Sequence, residues 1–172
     1  MSLPSFALKP GWTMRPWRVG DEPALMLVAN DDRILRWMSD TWPEPYLLED
    51  AHWWVREGSG QGSNWALCLE DVPQGGVGAQ GQTGFQRCNV EVGWWMSPAH
   101  WGQGIVPLAA QNVVEQALLN PEVSRVFAPI HAGNRPSMRV AEKIGMRLES
   151  VQPRSAFKRG ALIDRHLYAL YR

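Results

Sequence analysis

Residues 90–104 constrain the chain more than any other stretch. Val90, Val92, Trp94 and Met96 alternate with Glu91, Gly93, Trp95 and Ser97, the period-two pattern of a strand with two unlike faces. Pro98-Ala99-His100-Trp101-Gly102-Gln103-Gly104 follows, and then Ile105, Leu108, Ala109, Val113 and Ala117 recur at helical spacing. Asn120-Pro121 ends that helix, because the residue before a proline is driven out of the helical region. A strand leading through a two-glycine loop into a helix leaves unpaired amides at the positive end of the helix dipole, a setting that suits a phosphate or pyrophosphate. By spacing alone the loop fits a tight turn as well as an anion site. It matches neither the Walker lysine pattern nor GxGxxG followed by a distant acid.

Weaker signals surround this unit. Residues 13–19 read as a first strand, Asp21 offers an N-cap for a short helix through Ala29, residues 34–38 continue helically, and residues 49–57 form another helix. Residues 65–70 and 77–87 are expected to be strands, the second diluted by glycine. Residues 125–130 form a short apolar strand, Asn134 caps a helix ending at Gly145, and residues 146–152 and 166–171 are closing strands. The order is mixed α/β.

A chain of 172 residues predicts one domain. Lys plus Arg and Asp plus Glu balance at 17 each, which removes the electrostatic case for nucleic acid or an anionic membrane surface as partner. The balance is uneven along the chain, because 10 of the 17 basic residues lie beyond residue 120. A small polyanion is steered toward that end, unless those arginines are a solvated face. Cys68 and Cys88 are too few for a disulfide framework and show no zinc spacing, so no metal is expected and a reducing compartment is. Pro4, Pro10 and Pro16 interrupt the N-terminus, which does not read as a signal peptide. Lacking an apolar run of about 18 residues, the chain is expected to be cytoplasmic. Ten tryptophans are many, and neighbours such as Trp94-Trp95 cannot both enter one core from a strand.

Four segments, MRPWRVGDEPAL, EVGWWMSPAHWGQGI, NRPSMRVAEKIGMR and DRHLYAL, occur in the order and spacing of the GNAT superfamily of acyl-coenzyme A N-acyltransferases. The chain resembles that family over residues 13–171, and most of all its ribosomal-protein N-terminal acetyltransferase branch. The resemblance implies one domain over residues 1–172 with a mixed α/β fold: a mostly antiparallel, splayed sheet of about six or seven strands flanked by helices. It implies acetyl-coenzyme A as co-substrate and a primary amine as acceptor, in a protein N-terminus or a small molecule. A non-catalytic acyl-coenzyme A binding module is the alternative.

In the family, the strand matching residues 90–96 carries a bulge and parts from its neighbour, so Trp95 and Met96 would bond the pantetheine arm. Gly102, Gln103, Gly104, Ile105 and Val106 would hold the pyrophosphate through amides. Asn134 would bond pantetheine, cap a helix, or do both. Arg135, Arg139 and Lys143 are candidates for the 3′-phosphate, and His100 for another cofactor contact. Three departures stand out: Val106 and Pro107 replace small or hydroxylated residues, and Ala141 stands where many members carry a tyrosine acid. With no tyrosine there, Ser137 is the candidate acid, or else a small residue allowing close packing. Glu91 is the first candidate base and His131 the second; their plain alternatives are a cross-strand partner and a structural histidine.

The acceptor is left open. The region from Trp37 to Trp54, with Asp31, Asp32, Asp40, Glu44, Glu49 and Asp50, suits a cationic amine through aromatic faces and negative charge. Exposed tryptophans fit a homodimer interface equally well.

Overall fold

Eight strands make one sheet in the computed structural model, which describes residues 3–172. In chain order the elements are β1 (Phe6–Lys9), β2 (Trp12–Pro16), α1 (Glu22–Ala29), α2 (Asp32–Leu35), α3 (Leu48–Arg56), β3 (Ser63–Leu69), β4 (Val72–Gly81), β5 (Asn89–Met96), α4 (Ile105–Leu118), β6 (Arg125–His131), α5 (Arg135–Lys143), β7 (Arg147–Lys158) and β8 (Ala161–Tyr171). Their order across the sheet is β1-β2-β3-β4-β5-β6-β8-β7. Only β5 and β6 run parallel; every other neighbouring pair is antiparallel.

The expectation of a mixed, mostly antiparallel sheet flanked by helices matches this architecture, and the count of strands is higher. The extra strand, β1, is four residues long and lies between Pro4 and Pro10, which masked it as an irregular leader. β4 begins at Val72 and ends at Gly81, earlier than expected, because its glycines hide the alternation. β7 and β8 are longer than read, and meet at an Arg159-Gly160 turn in which both residues have positive φ, the two-residue hairpin geometry. Their register slips between Gln152 and Ala156, which explains why Pro153 and Arg154 broke the sequence pattern.

The two faces of the sheet bury different cores. Even-numbered positions of β2 and β5 (Trp12, Met14, Val90, Val92, Met96) and odd ones of β3 (Trp65, Leu67) pack with α4 through Ile105, Ala109, Ala110, Val113 and Val114. The opposite face sets Ala66 and Cys68 against Leu25 and Ala29 of α1 and Ala51 and Val55 of α3, with Trp17 and Tyr46. Each buried valine, leucine, isoleucine or methionine among them contributes about 1.5–3 kcal/mol when fully buried. Burial pushes the Cys68 thiol up to about 12, and both cysteines are free. Among the described residues no helix is long and apolar enough to cross a membrane.

Asp21 does not cap α1, contrary to the sequence expectation. Its side chain makes no cap bond; instead it grips the buried Arg15 guanidinium with two bonds of 2.8 Å and accepts from the Arg18 amide. Arg15 also reaches Asp71 at 2.7 Å. A cation this deep must be paired, and a two-pronged charge-assisted bond outcompetes a helix cap. Breaking such a pair typically costs about 3–5 kcal/mol. Asp21→Asn should therefore lower the urea midpoint by the equivalent of about 3 kcal/mol, the low end because Asp71 remains. The exposed partner change Asp71→Asn should cost under about 1 kcal/mol in the same titration.

Candidate functional site

β5 and β6 are in register only at Asn89–Arg125, Val90–Val126 and Glu91–Phe127. Past that point β5 continues to Met96 with β4 alone, and β6 continues to His131 with β8 alone. The pleat decides which backbone groups face the gap. The Ser97 amide donates to Gln74 and the Gln82 amide to the Asn89 carbonyl, so odd residues of β5 bond β4; the Cys88 carbonyl accepts from Ser124 and Arg125 on the β6 side. By alternation Trp94 and Met96 turn their backbone groups to the gap, whereas Trp95, expected to bond the carrier's arm, turns its backbone to β4 and meets the site through its indole alone. The Met96 carbonyl accepts from the Trp101 indole at 2.8 Å, leaving the Met96 amide and both polar groups of Trp94 along the open edge. The expected parting of the strands is present. The expected bulge in β5 is not: the β4–β5 register runs unbroken.

The loop after β5 places Gly102 and Gly104 at φ 78° and 76°, a region where a side chain is strained. Gly104 is the N-cap of α4 and no side chain caps that helix, so the amides at its start stay free. Pro107 sits within the first turn, where its missing N–H had no intrahelical partner to lose. Lys9 donates to the Gln103 carbonyl at 2.6 Å, giving that oxygen a partner and adding positive charge beside the loop. Gln103 itself lies outside the cavity that the other loop residues line.

That cavity, about 310 Å³, is lined by Trp95, Met96, Gly102, Gly104, Ile105, Val106, Asn134 and Arg139 of the expected set, with Lys143 and His100. The Ile105 side chain is buried in the core, so only its amide is available. Arg139 and Lys143 make no ion pair among the described residues. His100 bonds Gln74 at 3.2 Å and stands edge-on to Trp12, which fixes it in the wall. The arrangement fits a phosphate-bearing carrier with an extended polar arm: open strand edge, unpaired helix-start amides, two spare cations.

A second cavity, about 620 Å³, continues on the far side of the gap. Trp94, Trp95, Asn134 and Ser137 line both. Asn134 is buried, and its side-chain oxygen accepts from the Ser137 amide at 3.3 Å, the capping role expected of it. Glu91 and His131 line the second cavity. Burial, opposed by the nearby Arg165 charge, raises the Glu91 carboxyl above its ordinary range. Burial first, then Lys158 and Arg165, lowers His131. Ala141 is fully buried in the core and lines neither cavity, so this position supplies no acid.

The acidic region does not offer the open negative surface the sequence suggested. Asp31 pairs with Arg33, and Asp32 with Arg36 and Arg159. Glu44 pairs with Lys158 at 2.6 Å and with Arg159 at 2.9 Å, and Asp50 accepts from the Leu47 amide. Seven of the tryptophans, Trp17, Trp37, Trp42, Trp54, Trp65, Trp94 and Trp95, line the larger cavity, while Trp53 and Trp101 are half exposed. Two residues escaped the sequence reading. Trp94 needed the register of β5 against β4, and Lys9 comes from β1, 94 residues before its loop partner.

Comparison with known proteins agrees with this geometry. The uncharacterized N-acetyltransferase YnaD of Bacillus subtilis (strain 168) is 32% identical over 86 residues, 50% of this chain and 51% of that protein; the match spans about half of that relative. A crystal structure of a GNAT-family acetyltransferase from Bacillus anthracis superposes with a TM-score of 0.82 at 24% identity, covering 97% of this chain and 98% of that one. RimL, a ribosomal L7/L12 alpha-N-protein acetyltransferase solved with coenzyme A, superposes with a TM-score of 0.84 at 16% identity over 98% of both chains. A family model described as an acetyltransferase (GNAT) domain matches residues 12–147, and the chain belongs to the GNAT acetyltransferase family.

Proposed function

We propose that the protein is an acetyl-coenzyme A dependent N-acetyltransferase that passes an acetyl group directly from the thioester to a primary amine. One observation carries the reading: two cavities meet at a parted strand edge, and Trp94, Trp95, Asn134 and Ser137 belong to both. RimL in complex with coenzyme A shares the fold. Acetyl-coenzyme A supplies an activated acyl carbon and a thiolate leaving group.

The chain's own groups do the rest. The amides of Gly104, Ile105 and Val106, with Arg139 and Lys143 nearby, hold the diphosphate end. Trp94 and Met96 align the pantetheine arm as an added strand would, and an amide of that edge donates to the thioester oxygen as negative charge develops. Glu91 removes a proton from the amine, and Ser137 returns one to the departing sulfur, directly or through water. Most of the acceleration comes from positioning and from fixed donors. The departures that favoured a non-catalytic module remove one helix-start donor at Pro107 and a tyrosine at Ala141; the amides of Gly104, Ile105 and Val106 and the Ser137 hydroxyl are left to serve in their place.

Three outcomes test this. Gly104→Val forces a β-branched residue into a left-handed conformation, which costs about 1–3 kcal/mol, and crowds the anion loop. It should raise KM for acetyl-coenzyme A at least tenfold in a thiol-release assay while kcat falls less. Ser137→Ala should leave acetyl-coenzyme A binding nearly intact and lower kcat about 10²-fold; full activity would remove Ser137 as the acid.

Glu91 acts only when ionised, so kcat/KM should rise with pH through a carboxyl transition above the ordinary value of about 4.3. His131 and Arg165, the other ionisable groups lining its cavity, bear on the same profile. Glu91→Gln should abolish that limb and cost roughly 10²–10⁴ in rate. A carboxyl raised in the folded state destabilises the fold once ionised, that is, as pH climbs above its unfolded value. The same variant should therefore melt higher than the parent at neutral pH, with the gap closing in acid below the unfolded carboxyl range.

A further inference from the structure

The larger cavity carries information about its amine. Its walls are aromatic: Trp42 stands edge-on to Trp95 at 5.5 Å and tilts against Tyr46 at 5.1 Å, and Trp17 stands edge-on to Trp54 at 6.3 Å. Gly76 is what admits the Trp95 ring, since a Cβ there would lie 2.7 Å from its indole nitrogen. Glu91 is the sole carboxylate among the lining residues, and Arg165 and His131 are the basic ones. Arg165 bonds only neutral oxygens, Ser155 at 3.2 Å and Gln152 at 3.3 Å, and has no acidic partner among the described residues. A guanidinium so held keeps donors free for a carboxylate.

Two exclusions follow. A polycation would meet one carboxylate, because Asp32, Asp40 and Glu44 are committed to Lys158 and Arg159. Those same pairs tie the turn between β7 and β8 to the segment after α2. Ser39 and Trp42 from that segment and Ser155, Ala156 and Phe157 from the hairpin line the cavity. The clasp thus forms part of the cavity wall, and the space it bounds, about 620 Å³, suits a small acceptor better than a long polypeptide.

Resting on the acetyl-transfer reading, we propose that the acceptor is a small amino acid or a molecule built like one: one primary amine, one carboxylate and an aromatic or bulky apolar body. The amine meets Glu91 at the junction, the carboxylate meets Arg165, and the body lies among the indoles. The amine nitrogen bonds the acetyl carbon and the carbon–sulfur bond breaks. The sulfur takes the electron pair and a proton, the nitrogen loses one, and the products are an N-acetyl amino acid and the free thiol.

The test measures thiol release from acetyl-coenzyme A by the full chain with L-phenylalanine and L-tryptophan. The comparators are phenethylamine and tryptamine, which lack the carboxylate, spermidine, and peptides with free N-termini. The amino acids should exceed every comparator at least tenfold in kcat/KM. Arg165→Met should raise KM for L-phenylalanine at least tenfold and leave that for phenethylamine within twofold, and Arg165→Lys should recover part of the loss; should the methionine variant fail to fold, the lysine variant's intermediate KM carries the comparison. Preference for spermidine or peptides, or equal loss with both substrates, overturns the proposal. Calorimetry with L-phenylalanine and melting with acetyl-coenzyme A separate the two layers. Stabilisation by acetyl-coenzyme A with no amino acid bound or acetylated sinks the acceptor class alone. L-Phenylalanine binding that Arg165→Met weakens, without any thiol release, upholds the class and sinks the acetyl-transfer reading.

Discussion

The parting of β5 from β6 after Glu91 and Phe127 is the constraint on which the rest depends. Backbone donors and acceptors inside a protein must find partners, and a sheet interior normally guarantees them. Here two adjacent central strands keep their outer neighbours and give up each other, so the Trp94 backbone and the Met96 amide are left with water or a ligand. The fold tolerates this because each strand is anchored on its far side, β5 through seven register pairs with β4 and β6 through seven with β8. The open edge is thereby held rigid rather than frayed, which is what pre-formed recognition requires.

Everything chemical gathers around that opening. α4 starts at its lower end with free amides, and α5 starts at its other lip with Asn134 turned inward. Trp94 and Trp95 each border both cavities, so that one strand furnishes a wall to each. The glycines of β4, which weaken it as a strand, exist to seat that side: a Cβ on Gly75 would lie 2.5 Å from the Trp95 carbonyl and one on Gly76 would strike its ring. Local propensity has been traded for the shape of the site.

Much of this was legible in the amino-acid order, because it depends on local periodicity. The alternation at residues 90–96, the loop glycines, the helix that ends at Asn120-Pro121 and the Asn134 cap all report on neighbours a few residues away. What could not be read depends on partners far along the chain. Asp21 looked like a cap until Arg15 claimed it, and the acidic residues 32, 40 and 44 looked like a docking surface until Lys158 and Arg159 neutralised them. Trp94 and Trp95 could be placed on opposite faces from sequence, but which backbone faced the gap required the β4 register.

The ties joining Lys158 and Arg159 to Glu44, Asp32 and Asp40 span 114 residues or more. Apart from the Lys158 head-group they sit near solvent, within reach of mobile ions. That wall of the aromatic chamber is therefore held by a seam that dissolved electrolyte loosens, whereas the carrier end is walled by backbone and core. Ionic strength would then tune how fast acceptor and product exchange without altering how the thioester is aligned, so that one doorway breathes while the other keeps its frame.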